Sequence, residues 1–153
     1  MNLIKLNTKI KYLWISVSAL IAFFVSSILA GILYTFAGAV SAVIVPVFVL
    51  IGVFYGVKRY SNWGFKVVED HLYIEHGVIK KTYSMVPYVR VQHIDTDRGP
   101  IDRFLGLSTL RVYTAGSKGA DIRIPGLDRQ EASELQKKLR DAAISSEKGF
   151  DAV

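Results

Sequence analysis

The chain has 153 residues, no cysteine, and 19 Lys and Arg against 13 Asp and Glu. The missing cysteines exclude a disulfide framework, a thiolate nucleophile and a Cys-based metal site. The net charge of +6 is unevenly spread, because Lys5, Lys9 and Lys11 stand in an acid-free N-terminal stretch and every acid follows Lys58, which is a topology signal first and a ligand signal second.

Residues 1–11 read as a basic arm. From Tyr12 to Val57 there is no Asp, Glu, Lys, Arg or His. A membrane-spanning helix needs about 20 apolar residues, so this stretch is too long for one span and fits two, over residues 12–34 and 37–57, with a tight turn near Thr35–Gly38. The first is longer in its apolar core than the ~7–15 residues of a cleaved signal peptide. Basic residues at span ends stay on the cytoplasmic side. Lys9 and Lys11 before the first span and Lys58 and Arg59 after the second therefore predict a multi-pass hairpin with both termini cytoplasmic.

Ser18, Ala22, Ser26 and Ala30 recur every four residues and place small side chains on one helix face, which lets backbones approach closely in lipid. The second span offers Gly38, Ala42 and Pro46, then Gly52 and Gly56. Two readings stay open: the helices pack on each other, or Gly52 and Gly56 form a second face for a partner or another copy. Pro46 falls mid-span on these boundaries, where a kink is tolerated. Tyr12, Trp14, Tyr34, Phe54, Tyr55 and Tyr60 lie near the expected interfaces, as aromatic belts do. Pumps and channels place ionisable groups inside the membrane, and this hairpin has none, so it reads as an anchor or as one part of a larger membrane complex.

Residues 62–143 change to short alternating runs. Phe65, Val67, Leu72 and Ile74 alternate with polar residues around a Glu69-Asp70 turn, and His76-Gly77 marks another. Runs at Val78–Val86 and Tyr88–Ile94 follow, the second with Val89 and Val91 on one face and Arg90 and Gln92 on the other. Leu110, Val112 and Thr114 alternate in the next, and Ile122 and Ile124 in the last, with a flexible hairpin turn at Ala115-Gly116-Ser117-Lys118-Gly119. This predicts roughly six or seven strands in a small barrel or sandwich. Pro100 opens and Gly106 stops a short helix with Ile101, Phe104 and Leu105 on one side. Asp128 and Glu131 mark the start of a second helix, whose Ala132, Leu135, Leu139 and Ala143 form an apolar stripe that would plug one end of the barrel. Residues 144–153 read as a flexible tail.

The stretch Val86-Pro87-Tyr88-Val89-Arg90-Val91-Gln92-His93-Ile94 resembles the signature of bacterial pleckstrin-homology-like domains. So do Arg98-Gly99-Pro100-Ile101-Asp102-Arg103-Phe104-Leu105-Gly106-Leu107, Tyr113-Thr114-Ala115-Gly116 and Ile124-Pro125-Gly126-Leu127. Nearly the whole chain is similar to the small two-span, YdbS-like members of that family. The resemblance implies two bent antiparallel sheets closed by a C-terminal helix, placed at the bacterial inner membrane. It implies little about activity, since a fold does not fix a function. By resemblance alone, a larger protein with related domains is an expected partner.

No nucleophile elbow surrounds Ser84, Ser108 or Ser117, and His71, His76 and His93 lack metal-ligand spacing. Gly116–Gly119 lacks the pattern of a phosphate-cradling P-loop. Asp95, Asp97 and Asp102 cluster in sequence with Arg90, Arg98 and Arg103, which ion pairing explains more simply than acid catalysis. The expectation is a non-catalytic module with no cofactor, no metal and no nucleic-acid partner. One reading is a scaffold that binds a protein partner, or further copies of itself, through Tyr88, Arg90, Gln92, Arg98 and Arg103. The alternative is a reader of anionic lipid that touches the bilayer through Lys58, Arg59, Lys80 and Lys81. Against the alternative, the turn where head groups would be read is Glu69-Asp70, whose charge repels phosphate.

Overall fold

A computed structural model describes residues 3–115 and 122–150, without the side chains of residues 35–37, 39–40 and 147–150. The expected hairpin turn at Gly116–Gly119 lies outside the described residues. The chain divides into two compact units.

One unit consists of Thr8–Asn62 together with Gly77–Lys80. Helix α1 (Thr8–Ala37) is followed by a 3-10 segment (Gly38–Val43) and helix α2 (Ile44–Ser61). Both helices are long and apolar enough to cross a membrane, and only 6% and 17% of their most apolar windows are buried. A core helix of a soluble protein would hide such side chains; here Leu20, Phe24, Ile28, Leu50 and Phe54 all point outward. The tight turn expected near Thr35–Gly38 is corrected: α1 runs on to Ala37, and the connection is the longer 3-10 segment that starts at Gly38, whose φ of +56° suits a residue without Cβ. The second helix accordingly begins later than expected, at Ile44. That moves Pro46 from mid-span to the first turn of α2, where its missing N–H leaves no bond unmade and no kink is needed.

The small residues pack α1 on α2. A Cβ on Gly52 would stand 2.8 Å from the Ser18 carbonyl oxygen and 2.9 Å from Ala22 Cβ, and one on Gly56 would stand 2.7 Å from Ile15 Cα. Gly52 and Gly56 are therefore spent inside the hairpin, which corrects the reading of them as a face for another copy. The hydroxyls on this seam are satisfied locally: Ser18 donates to the Trp14 carbonyl at 2.7 Å and buried Ser26 to the Ala22 carbonyl at 2.6 Å.

The other unit holds the described residues of Met1–Asn7, Trp63–His76 and Lys81–Val153. Strands β1 (Gly64–Val67), β2 (His71–His76) and β3 (Thr82–Pro87) form one antiparallel sheet; β4 (Val91–Asp97), β5 (Leu107–Thr114) and β6 (Ile122–Asp128) form a second. Helix α3 (Pro100–Leu105) joins β4 to β5, and α4 (Arg129–Phe150) follows β6. Alternation on β5 buries Leu110 and Val112, which pair in register with Ile124 and Ile122 of β6; Leu72 and Ile74 of β2 are buried as well, and α4 adds Ala132, Leu135 and Leu139 from its expected stripe. Glu131 accepts from the Asp128 backbone N–H at 3.0 Å, the reciprocal half of a capping box.

Four expectations are corrected. The run Val78–Val86 becomes a strand only from Thr82, and Tyr88–Arg90 is a 3-10 turn rather than strand. Pro87 cannot donate to a ladder, so β3 stops there, and Val89 is exposed rather than sharing a buried face with Val91. Ile101 and Phe104 do not pack inward: Phe104 is 90% exposed. Helix α3 is formed by its ends, with the Asp102 carboxylate accepting from the Gly99 N–H at 3.2 Å and Gly106 closing it at φ +72°. Helix α4 continues through the stretch read as tail, to Phe150.

The N-terminal arm differs most. Ile4 and Phe65 exchange backbone hydrogen bonds of 2.8 and 3.1 Å, so the arm extends the first sheet beyond β1. Gly64 permits this, since a Cβ there would stand 2.9 Å from Leu3 Cβ. Asn7 reaches the second sheet, donating its N–H to the Gly126 carbonyl at 3.0 Å and its side-chain amide to the Asp128 carboxylate at 2.9 Å. The arm is thus part of this unit. Asn7→Ala is expected to lower the unit's stability by about 1.5–3 kcal/mol, because the lost bond involves a charged group. Urea unfolding in detergent micelles reads this, and an unchanged midpoint contradicts it.

Candidate functional site

The concave surface of the two-sheet unit lies between the Tyr88–Val91 turn, β4 and the outer side of α4. It encloses about 1050 Å³. Pro87 ends β3 and lets the Tyr88 ring drop into the core, where it is 1% exposed and its hydroxyl lies 2.7 Å from the Val68 carbonyl and 2.9 Å from that of His71. Burial pushes the Tyr88 phenol above its ordinary value. With Tyr88 as floor, Val89, Gln92 and Ile94 line one wall and Lys137, Arg140 and Ile144 the other. β4 is an edge strand. One of its carbonyls, that of Ile94, accepts from Gln136 Nε2 at 2.8 Å, so α4 closes the groove there.

The electrostatics are lopsided. Neither Lys137 nor Arg140 forms an ion pair with a described residue, whereas His93, on the β4 side, meets Asp95 at 2.6 Å. The unpaired positive charge that lines the groove therefore stands on the α4 wall.

The five residues expected to bind a partner are dispersed. Gln92 lines the groove, and Arg90 is exposed beside it, donating to the Ala115 carbonyl at 3.3 Å. Tyr88 is buried, so its hydroxyl is not a surface contact, which corrects that expectation. Arg98 donates to the Leu107 carbonyl at 3.1 Å, holding the chain around α3. Arg103 is exposed on α3 and does not line the groove. Sequence reading missed the α4 wall, because Lys137 and Arg140 look like an ordinary solvated face until β4 stands opposite.

The lipid-facing set is also divided. Lys58 lies over the Phe54 ring at 5.8 Å and Arg59 over the Trp14 ring at 4.3 Å, cation–π contacts that suit a membrane interface. Lys80 is exposed, and Lys81 pairs with Glu75 at 3.5 Å. The Glu69-Asp70 turn is exposed, and the hydrogen bond from His71 at 2.6 Å holds the Asp70 carboxyl below its ordinary value, keeping it charged. Of the acids, Asp97 pairs with Arg111 at 2.6 Å and Asp102 caps α3. Among the described residues no three His, Asp or Glu gather as a metal site.

A family model described as bacterial PH domain matches residues 12–143. The UPF0699 transmembrane protein YdbS of Bacillus subtilis is 36% identical over 78 residues, covering 51% of this chain and 47% of that protein. The match thus spans about half the length of that relative. A solved structure of a protein with a pleckstrin-homology domain from Shewanella loihica aligns with a TM-score of 0.44 at 19% identity, over 56% of this chain and 74% of that one.

Proposed function

The chain belongs to the bacterial PH domain family, and from that premise we propose that it is a non-catalytic membrane-anchored scaffold whose β4–α4 groove holds an extended segment of a protein partner. It is a membrane-associated PH-like module, with two apolar helices long enough to span and exposed along their length. In our reading the helices form a multi-pass hairpin in the inner membrane, with both termini and the PH-like unit on the cytoplasmic side. The charge pattern supports this: Lys9 and Lys11 precede the first span, Lys58 and Arg59 follow the second, and no charge lies between.

The observation that carries the reading is the groove. It combines the β4 strand edge, the Tyr88 ring beneath it and two cations on one wall, the parts with which a strand edge takes up a peptide. An acidic segment fits best, with its carboxylates toward Lys137 and Arg140. A larger membrane protein with a related domain, or a further copy of this chain, is a partner of the right kind. Lipid reading by the first strand turn has less support, since Glu69-Asp70 is acidic.

The test is photo-crosslinking in native membranes, from a benzophenone side chain at Gln92. One discrete protein adduct is expected, lost with Lys137→Glu/Arg140→Glu but kept with Lys66→Glu. Adducts only to lipid, or an adduct indifferent to the α4 charges, would sink the proposal.

A further inference from the structure

We propose that the Gly77–Lys80 turn is a second membrane contact, with Ile79 seated where head groups meet acyl chains and Lys80 against anionic lipid phosphate. This rests on the membrane-hairpin reading and is independent of the groove.

The turn belongs to the same compact unit as the two apolar helices. The link is Asn62, the residue after the last of α2. Its backbone N–H closes the helix on the Lys58 carbonyl at 2.9 Å, and its side-chain amide donates to the Gly77 carbonyl at 3.1 Å. An α-helix rises ~1.5 Å per residue, so Asn62 stands only ~4.5 Å beyond Arg59. Arg59 and Lys58, resting on the Trp14 and Phe54 rings, mark the polar boundary of the same unit. Ile79 is two residues from the tethered Gly77. Two residues of chain span at most ~7 Å, so the Ile79 tip stays close to the point where Gly77 is held.

The composition of the turn fits that place. Ile79 is 95% exposed, the most exposed large apolar residue among those described, and Lys80 beside it is exposed as well. An apolar tip with an adjoining lysine matches an anionic bilayer surface, where apolar burial and attraction to lipid charge act together. Gly77 takes φ +118°, a conformation that favours glycine and fixes the sharp exit from β2. Phe104 and Met85 are also exposed, but they lie in the other unit.

The cysteine-free chain allows a direct test. Ile79→Cys, Phe48→Cys in α2 and Met85→Cys in β3 are each labelled with an environment-sensitive thiol dye in the full-length protein. The carrier is liposomes containing phosphatidylglycerol, with lipids brominated near the head group or deep in the chain. The dye at 79 should lose most emission to the shallow bromines and be shielded from aqueous iodide compared with the dye at 85. Phe48 should answer to the deep bromines. Lys80→Glu should weaken the shallow quenching at 79 as phosphatidylglycerol is raised, and its indifference would overturn the lysine's part. A dye at 79 open to iodide and untouched by bromine, while 48 responds, overturns this proposal alone. Shielding from both quenchers means that protein covers the turn, which also overturns it. Silence at 48 as well overturns both this contact and the hairpin reading.

Discussion

Replacing Tyr88 by alanine is expected to remove about 3–5 kcal/mol from the stability of the PH-like unit, the range for deleting a fully buried aromatic ring. Tyr88 is among the largest wholly buried side chains. Its loss leaves a cavity beneath the groove and takes the donor from the Val68 and His71 carbonyls. Tyr88→Phe keeps the ring and should cost only about 1–3 kcal/mol, since one hydroxyl proton is all those carbonyls share. Hydrogen exchange of β2 and β5 amides in detergent micelles reads both changes; equal protection in the parent and Tyr88→Ala would refute the assignment. The same phenol fixes a pH dependence. Burial raises it above its ordinary value near 10, so above that pH the unfolded chain sheds a proton that the folded unit keeps. Stability therefore falls as pH rises past the ordinary value and through the raised one. Tyr73, also raised by burial, acts in the same direction, so Tyr88→Phe should soften the alkaline loss and the double variant with Tyr73→Phe should soften it further.

This behaviour shows where the sequence is legible and where it is not. The two long apolar helices could be read because so long a stretch without charge is what a spanning hairpin needs. The α4 stripe and the ends of α3 were equally plain, since capping residues act locally. Tyr88 was read as a surface contact because alternation was carried straight through Pro87. The missing proline N–H ended that alternation, and a tyrosine's apolar ring and polar tip suit either a surface or a core with carbonyls in reach. The arm at Ile4–Asn7 was missed for a different reason. Its partners, Phe65 and Asp128, lie far along the chain, and no local pattern announces a single bridge. The same holds for the groove. Lys137 and Arg140 acquire meaning only through β4, which a helix periodicity cannot supply. Phe104 carries the converse lesson: an apolar side on a six-residue helix does not by itself find a core.

The hairpin seam yields the second large effect. Gly56→Leu is expected to force α1 and α2 apart, because even the first carbon of the new side chain would overlap the Ile15 Cα at 2.7 Å. Backbone cannot turn aside as a flexible side chain can, so the helices must separate or slide, at a cost of about 1–3 kcal/mol or more. Gly52→Leu meets the Ser18 carbonyl and should act alike, whereas Gly31, with nothing within 4 Å of an added Cβ, should accept leucine without shifting the pair. Spin labels on the exposed Leu20 and Leu50 report the separation in liposomes. Widening in the Gly56 and Gly52 variants, with none in Gly31→Leu, is the expected pattern. Were these glycines a face for a second copy instead, the distance within one chain would stay constant and only the coupling between chains would change. The contrast between positions decides the matter, since all three variants add the same apolar side chain to a helix in lipid. Only the space opposite the glycine differs, and that space is set by Ile15, Ser18 and Ala22 on the facing helix.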